Sequence, residues 1–168
     1  VAVSTITVNA VNDAPVVDLN GAGADITYAA SFTEGGSAVN ITDATATVSD
    51  VDDTNIESGT ITISNIADGT SEVLTATTTG TNISASYSNG VLTLSGSDTL
   101  ANYQTVLRSI TYENTDDNPT SGDRTINVLL SDGDTTNTVA VSTITVNAIN
   151  DAPVVDLNGA GADITYAA

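Results

Sequence analysis

The chain has 168 residues, of which 21 are acidic and only two are Lys or Arg, so its formal net charge at pH 7 is -19. This charge argues against nucleic acid and anionic membrane surfaces as partners and makes cations the natural counter-species. Apolar residues make up 40% of the sequence, which is enough for a buried core, and the absence of Cys excludes disulfides and zinc-thiolate sites. No apolar run has transmembrane length, and we expect no membrane insertion.

In chain order, short segments rich in β-branched residues alternate with turn signals, as is typical of an all-β sandwich. The sequence predicts strands near Ile26–Thr33, Ala38–Ile41, Ala46–Ser49, Gly59–Ile66, Val73–Thr78, Ile83–Tyr87, Val91–Ser95, Ser109–Glu113, Arg124–Leu130 and Val139–Ala148. Apolar and polar residues alternate in several of them, which indicates half-buried strands. Asn89-Gly90 predicts a two-residue hairpin, because both residues tolerate positive φ.

One segment departs from the β pattern. Leu100, Tyr103 and Leu107 are spaced three and four residues apart, and they follow Asp98, a residue type that caps helices. The sequence therefore predicts a helix of about two turns that begins after an Asp98 cap, with Tyr103 packed in the core. The acidic segment 112–124, which contains Pro and Gly, predicts a loop.

The chain begins and ends with nearly the same thirty residues. Residues 1–30 and 139–168 differ only at Val11, whose counterpart is Ile149. The spacing between the copies is plausible for one domain and too long for the common short repeats. We therefore interpret the chain as one period of a tandem array. Because the sequence shows no initiating Met and no apolar signal segment, we expect the targeting information of the parent protein to lie elsewhere.

This interpretation divides the chain into three parts. Residues 1–13 are expected to be the last strand and linker of a preceding repeat, residues 14–152 a complete repeat, and residues 153–168 the start of a following one. A repeated, acidic, Cys-free and Thr-rich sequence also favours the bacterial exterior as the location of the protein.

Catalysis is not expected from this composition. The chain has no His, Cys or Lys, so only Asp and Glu remain as acids or bases. Glycoside hydrolysis by paired carboxylates would require aromatic residues that stack on sugars, yet there are five Tyr, one Phe and no Trp. We expect that the protein is not an enzyme.

Acidic residues fall in three short clusters where loops of a sandwich are expected. The clusters are Asn12-Asp13, Asp50 to Asp53 with Asn55, and Asp132 with Asp134. Each cluster alone has two interpretations, because Asp and Asn also form turns without any ion. Calcium requires six to eight oxygen ligands at about 2.3–2.6 Å, and loops can supply them together. The three clusters in combination favour a calcium site, since converging carboxylates would otherwise repel one another.

Several segments resemble the repeats of cadherins. VNDAP at residues 11–15 resembles the cadherin linker, VSDVDDTN at residues 48–55 is similar to the cadherin Asp-x-Asp motif, and FTEGG at residues 32–36 is similar to the segment with an early Glu. From Ala14 to Pro153 the chain resembles the cadherin-like tandem repeats of large bacterial surface adhesins. The expected fold is therefore all-β, an Ig-like, cadherin-like Greek-key β-sandwich with one short helix.

The resemblance also implies the ligands of Ca²⁺. At the amino-terminal pole they are Asn12, Asp13, Asp50, Asp52, Asn55 through its backbone carbonyl, and Asp132. At the opposite pole Glu34, with Glu113, faces the next linker at Asn150 and Asp151. Ala10 and Ala14 stand where cadherin linkers have Asp and Asn, which implies about one or two ions per junction.

The function implied is that of a calcium-binding extracellular repeat, a structural spacer in a cell-surface adhesin. Its expected partners are the neighbouring repeats of the same polypeptide, and Ca²⁺ would make their junctions rigid. The alternative is a module that binds surface glycans or proteins, with Tyr28, Tyr87 or Tyr112 in a small aromatic platform. The near-identity of the two copies favours the spacer, because a specialised binding domain more often occurs once.

The repeat also creates a competition between two copies of one strand. Residues 1–10 and 139–148 have the same sequence, and a single sandwich has one position for it. We predict that the second copy pairs with Arg124–Leu130, because a short turn joins them. The first copy is expected to project, since a linker of about four or five residues reaches at most roughly 14–18 Å. Residues 154–168 are expected to be loosely held.

Overall fold

The computed structural model describes residues 2–153 and residue 155. In order along the chain the elements are β1 (Val16–Asp18), β2 (Tyr28–Thr33), β3 (Val39–Asn40), β4 (Thr47–Ser49), β5 (Asn55–Ile63), a 3₁₀ turn (Gly69–Ser71), β6 (Glu72–Thr75), β7 (Ser84–Ser88), β8 (Val91–Thr99), α1 (Leu100–Arg108), β9 (Thr111–Asn114), β10 (Gly122–Ser131) and β11 (Ala140–Asn147). The predicted fold class, an all-β sandwich with one short helix, is confirmed.

The strands form two layers. The first is a six-stranded sheet of order β2-β11-β10-β5-β8-β7, in which the pairing of β11 with the edge strand β2 is parallel and the others are antiparallel. The second layer contains the three-stranded sheet β3-β9-β6 and the two-stranded sheet β1-β4. Phe32 on β2 meets Tyr112 on β9 edge to face, with ring centroids 5.7 Å apart. This aromatic contact packs one layer on the other.

Alternation along the central strands produces the core. In β10 every second side chain from Arg124 to Leu130 is buried, and in β11 the same holds from Ala140 to Val146. The buried residues of both strands face the second layer, and the intervening ones are half-exposed. Tyr103 on α1 is fully buried, as predicted, and its hydroxyl donates to the carbonyl of Gly96 at 2.8 Å.

The strand predictions agree with the observed elements to within a few residues, with one omission. Strand β1 was not predicted, because its two Val residues are followed at once by Asp18 and give no alternation. It forms by pairing with β4. The Asn89-Gly90 hairpin is confirmed: Ser88 pairs with Val91, and the two turn residues have φ of 49° and 82°.

The beginning of the helix was predicted one residue too early. Thr99, and not Asp98, is the cap, since its hydroxyl accepts the N–H of Asn102 at 3.2 Å. Asp98 is the second-last residue of strand β8 and accepts the N–H groups of Asn82 and Thr99 instead. Within the described residues, no helix has both the length and the apolar character that crossing a membrane would demand.

The predicted loop over residues 112–124 is also too long at both ends. Strand β9 continues to Asn114, and β10 begins at Gly122, which leaves residues 115–121 as the connection. Backbone pairing with β6 and β11 extends these strands into polar sequence, where an apolar pattern gives no signal.

As predicted, the second copy of the repeated strand, and not the first, is part of the sheet. Strand β11 lies between β10 and β2, whereas residues 2–14 form no strand. In the first copy Val3, Ile6 and Val8 are 85–87% exposed. The boundaries of the three parts of the chain stay a prediction. Apart from residue 155, the expectation for residues 154–168 lies outside the described residues.

Candidate metal centre

Three segments of the chain meet at one pole of the sandwich. The loop between β4 and β5 supplies Asp50 to Asp53, and the loop between β10 and β11 supplies Asp132. The linker before β1 reaches the same pole, because the Asn12 side-chain amide donates to Oδ2 of Asp132 at 3.0 Å. Residues that are far apart in sequence are thus brought together by the order of strands in the sheet.

The carboxylates of Asp50, Asp53 and Asp132 form the closest group at this pole. One oxygen from each lies within 4.8 Å of the others. Two oxygens on opposite sides of a calcium ion, each about 2.4 Å from it, are about 4.8 Å apart. All three carboxylates can therefore contact one ion of this size.

The two carboxylate oxygens of Asp50 differ in their hydrogen bonding. Its Oδ1 accepts the N–H groups of Asp52 and Asp53 at 3.1 and 3.0 Å, which fixes the turn of the loop. Its Oδ2 is buried and has no hydrogen-bond partner. A buried carboxylate oxygen without a partner costs free energy, because it has lost its water. A cation bound at this oxygen would remove that cost.

Asp132 is held in place by its own loop and by the linker. Its Oδ1 accepts the N–H groups of Thr135 at 2.6 Å and Asp134 at 2.8 Å, and its Oδ2 accepts the Thr135 hydroxyl at 2.9 Å. The N–H of Thr135, followed by the Asn12 amide, lowers the pKa of Asp132 to about 2. The carboxylate is therefore charged at every physiological pH.

The three charges repel one another. Burial raises the pKa of Asp53, and the neighbouring charges of Asp50, Asp52 and Asp132 raise it further. For Asp50, burial alone would raise the pKa, but hydrogen bonds from the Asp53 and Asp52 N–H groups leave it below its ordinary value. Hydrogen bonds within the loops therefore keep Asp50 and Asp132 ionised although the neighbouring carboxylates repel one another. Such a concentration of negative charge attracts a cation.

The remaining predicted residues of this pole lie around the three carboxylates. The Asp52 carboxylate accepts the backbone N–H of Asp13 at 3.2 and 3.3 Å, so it holds the linker. Asn55 begins β5, and its side-chain amide donates to the Ser97 hydroxyl at 3.1 Å. Asp53 belongs to the group of three carboxylates but was not among the predicted site residues. Its signal was its position three residues after Asp50, which a turn brings back to the same side.

The opposite pole carries an acidic groove of about 670 Å³. All three charged residues predicted for this pole, Glu34, Glu113 and Asp151, line it. Oε2 of Glu34 accepts the backbone N–H of Ile149 at 2.7 Å, and the predicted Asn150 donates its amide to the Asp151 carbonyl at 3.1 Å. This pole therefore holds the start of the following linker.

A separate ionic cluster lies inside the sandwich and was not predicted. Arg124 on β10 donates through Nε to Glu72, and its Nη2 is 3.0 Å from Oδ2 of Asp68. Glu72 is fully buried and also accepts the hydroxyl of Tyr112 at 3.1 Å. The two carboxylates share the Arg124 guanidinium, and the side chains of Arg124, Asp68 and Glu72 are only 0–7% exposed, so we assign the cluster to stability.

The Tyr residues do not form a common surface. Tyr112 is fully buried in the core. Tyr28 lies on β2 and Tyr87 on β7, the two opposite edges of the six-stranded sheet. The glycan-binding alternative therefore gains no support from a shared aromatic platform.

No protein-family model, curated protein or solved structure matches this chain. The resemblance to cadherin-like repeats therefore depends on the short motifs quoted above.

Proposed function

We propose that this chain is a calcium-binding repeat that serves as a structural spacer in an extracellular, bacterial cell-surface adhesin. The observation that carries the proposal is the group of three carboxylates within 4.8 Å of one another, with Oδ2 of Asp50 buried and unpartnered. Asp50, Asp53 and Asp132 would hold the ion, and waters or linker oxygens would complete its coordination.

The donor set favours calcium over other metals. The sequence has neither His nor Cys, the ligands that zinc and copper prefer. Magnesium demands a tight octahedral shell at about 2.0–2.1 Å and retains most of its waters. Carboxylates from separate loops, with no fixed octahedral arrangement, suit the larger and less demanding Ca²⁺.

The two linker copies together suggest how a junction is built. Residues 11–13 and 149–151 share the same Asn-Asp pair. The first copy contacts Asp52 and Asp132 of the domain that follows it, and the second contacts Glu34 of the domain that precedes it. In a tandem array one linker would make both sets of contacts. It would then lie between an acidic pole and an acidic groove, which repel each other without a cation.

Calcium would change the mechanics of this junction. Without the ion, carboxylates of two neighbouring repeats face each other and keep the linker loose. With the ion, their charge is neutralised, and the repeats behave as a stiffer rod. Sites of extracellular type bind calcium at about 10⁻⁴–10⁻³ M, so they would be filled only outside the cell. The implied benefit is that the repeats are flexible during export and become stiff only outside the cell.

A two-repeat chain, made by continuing the same period, tests the spacer function directly. Small-angle X-ray scattering should give a longer maximum dimension and less flexibility in calcium than in chelator. The matched control carries Asp53→Asn in its second repeat and should stay flexible in calcium. Equal scattering curves in calcium and chelator for the parent chain would reject the spacer mechanism.

A further inference from the structure

The connection that carries Asp132 begins where the ladder between β10 and β11 stops. The last residue pair of these two strands is Val128 with Ala140. Strand β10 continues to Ser131, but within the ladders residues 129–131 pair with β5 and not with β11. The ladder alone therefore does not fix the position of the connection.

Asn137 fills the place beside β10 that β11 leaves open. Its backbone N–H donates to the carbonyl of Leu130 at 3.1 Å, and its side-chain Oδ1 accepts the Leu130 N–H at 2.6 Å. Its Nδ2 donates to the carbonyls of Val128 at 3.3 Å and Thr138 at 2.6 Å. The side chain thus acts as an additional peptide group at the edge of β10. Because Asn137 is 3% and Leu130 0% exposed, water has little access to replace these bonds.

This contact closes a short loop around Asp132. Ser131 and Thr136 form an isolated bridge, and the Ser131 hydroxyl donates to the carbonyl of Thr135 at 2.8 Å. Asp132 lies two residues after Leu130, and its Oδ1 accepts two N–H groups of the same loop. A shift of the pairing by one residue would turn the side chains of the loop to the other face of the sheet. The partner of Leu130 therefore determines where the Asp132 carboxylate emerges.

A second Asn makes the same kind of contact at the other end of β10. Asn65 donates through Nδ2 to the carbonyl of Asp123 at 2.8 Å and accepts the Thr125 N–H at 2.7 Å. It is exposed. Among the described residues, the group of three close carboxylates lies at the other pole. Both Asn residues bridge the β10 backbone, but Asn137 alone is attached to the loop that carries a member of this group.

We propose that Asn137 is a positioning residue for the metal centre. By pairing with Leu130 it fixes the loop that holds the Asp132 carboxylate beside the two from the β4-β5 loop. The inference rests on the calcium site proposed above. It assigns no ligand role to Asn137, whose amide is bonded to the backbone. Residues that orient metal ligands contribute about 10–100-fold to the affinity for the metal.

The affinity of the folded chain for calcium tests this role. Asn137→Ala removes the side-chain amide and leaves every carboxylate of the site in place. Calorimetric titration is carried out at a temperature at which the melting curve in chelator shows the variant to be folded. Its dissociation constant for calcium should be at least about tenfold higher than that of the parent chain.

Asn114→Ala is the matched control. Asn114 is as well buried as Asn137, at 4%, and holds a loop at the opposite pole through the Asp116 N–H and the Asp68 carboxylate. Its replacement should lower the melting temperature in chelator. The dissociation constant for calcium should nevertheless stay within about twofold of the parent value, because the two sites are distant and share no partner.

A disulfide rescues the loop and keeps the test valid if Asn137→Ala alone does not fold. Ser131→Cys/Thr136→Cys joins a cross-strand pair whose spacing a disulfide can span, and the chain has no Cys of its own. In the Asn137→Ala chain, the oxidised cross-link should restore the dissociation constant to that of the cross-linked chain with Asn137. Reduction should abolish this rescue.

Hydrogen exchange of single amides, measured by NMR in chelator, locates the change. In Asn137→Ala the Leu130 amide should exchange several-fold faster than in the parent chain, because its acceptor is gone. The Ile126 amide, in the ladder position opposite Ser142, should keep its rate.

The possible failures separate this inference from the proposed function. Equal calcium affinity of Asn137→Ala and the parent chain, or an equal loss in Asn114→Ala, would overturn the positioning role and leave the calcium site standing. Unchanged exchange of the Leu130 amide, or no rescue by the oxidised cross-link, would overturn it as well. A parent chain that binds no calcium would reject the proposed function and this inference together.

Discussion

The buried cluster around Arg124 and the acidic pole around Asp50 gather carboxylates in opposite ways. Inside the sandwich, Glu72 and Asp68 share one guanidinium, and every partner is part of the chain. At the pole, Asp50, Asp53 and Asp132 approach one another with no Arg or Lys in their hydrogen bonds. The interior cluster has a counter-ion within the chain, whereas the three carboxylates at the pole have no Arg or Lys partner among the described residues. The contrast separates charges that stabilise the fold from charges that are available to a ligand.

The largest effect is expected when the internal cation is removed. Arg124→Met should lower the free energy of unfolding by about 3–5 kcal/mol, because Glu72 and Asp68 would be left without their partner. Chemical denaturation measures this directly. As a matched control, Arg124→Met combined with Glu72→Met should be less damaging than the single change. A single variant as stable as the parent would show that the cluster is not the main internal stabiliser.

Calcium should have the next largest effect on stability, and it should act only at the pole that contains Asp50, Asp53 and Asp132. At about 100 times its dissociation constant, one bound ion adds roughly 2.7 kcal/mol to the free energy of unfolding. The melting temperature should therefore rise with calcium and fall with chelator, and magnesium should substitute poorly. Asp68→Asn should lower the baseline and leave the calcium response unchanged. Identical melting curves with calcium and with chelator would contradict the assignment of a cation site to the acidic pole.

Acid should weaken the internal cluster. Burial alone would raise the pKa of Asp68, but Thr120, Asn114 and the charge of Arg124 lower it overall. A lowered folded pKa means that the contribution of Asp68 is present above the ordinary value of 3.8 and is lost as the pH falls through the folded value. The stability difference between the parent chain and Asp68→Asn, measured in chelator, should therefore shrink from pH 6 to about pH 2. A constant difference would show that Asp68 contributes nothing through its charge.

The smallest effect is expected at the opposite pole. Glu34→Gln keeps an acceptor for the Ile149 N–H and removes one exposed charge. The free energy of unfolding should change by less than about 0.5 kcal/mol, as is usual for surface substitutions. The calcium response of the other pole should be the same as in the parent chain. Loss of that response would mean that the two poles are coupled, which the structure does not suggest.

Periodicity in the sequence was sufficient for the strands, the hairpin and the position of β11, because each is specified by local alternation or by a short turn. It was not sufficient for β1, whose pairing partner β4 lies roughly thirty residues further along the chain. The ionic cluster was also missed, since Arg124 and Glu72 have no local pattern and lie in different sheets, so that they meet only where the two layers pack together. Asp53 lies beside Asp50 and Asp132 because of the turn that follows Asp50, whereas the cadherin Asp-x-Asp motif points to Asp50 and Asp52.

The most direct test of the central claim is an isothermal calorimetric titration of the chain with calcium, carried out on three proteins. The parent chain should bind calcium with a dissociation constant of about 10⁻⁴–10⁻³ M. Asp50→Asn/Asp53→Asn removes two of the three converging carboxylates and should lose most of the binding heat at the same concentrations. Asp117→Asn removes a charge at the opposite pole and should bind as the parent does. Binding that survives in the double variant and falls in Asp117→Asn would contradict the assignment of the metal centre.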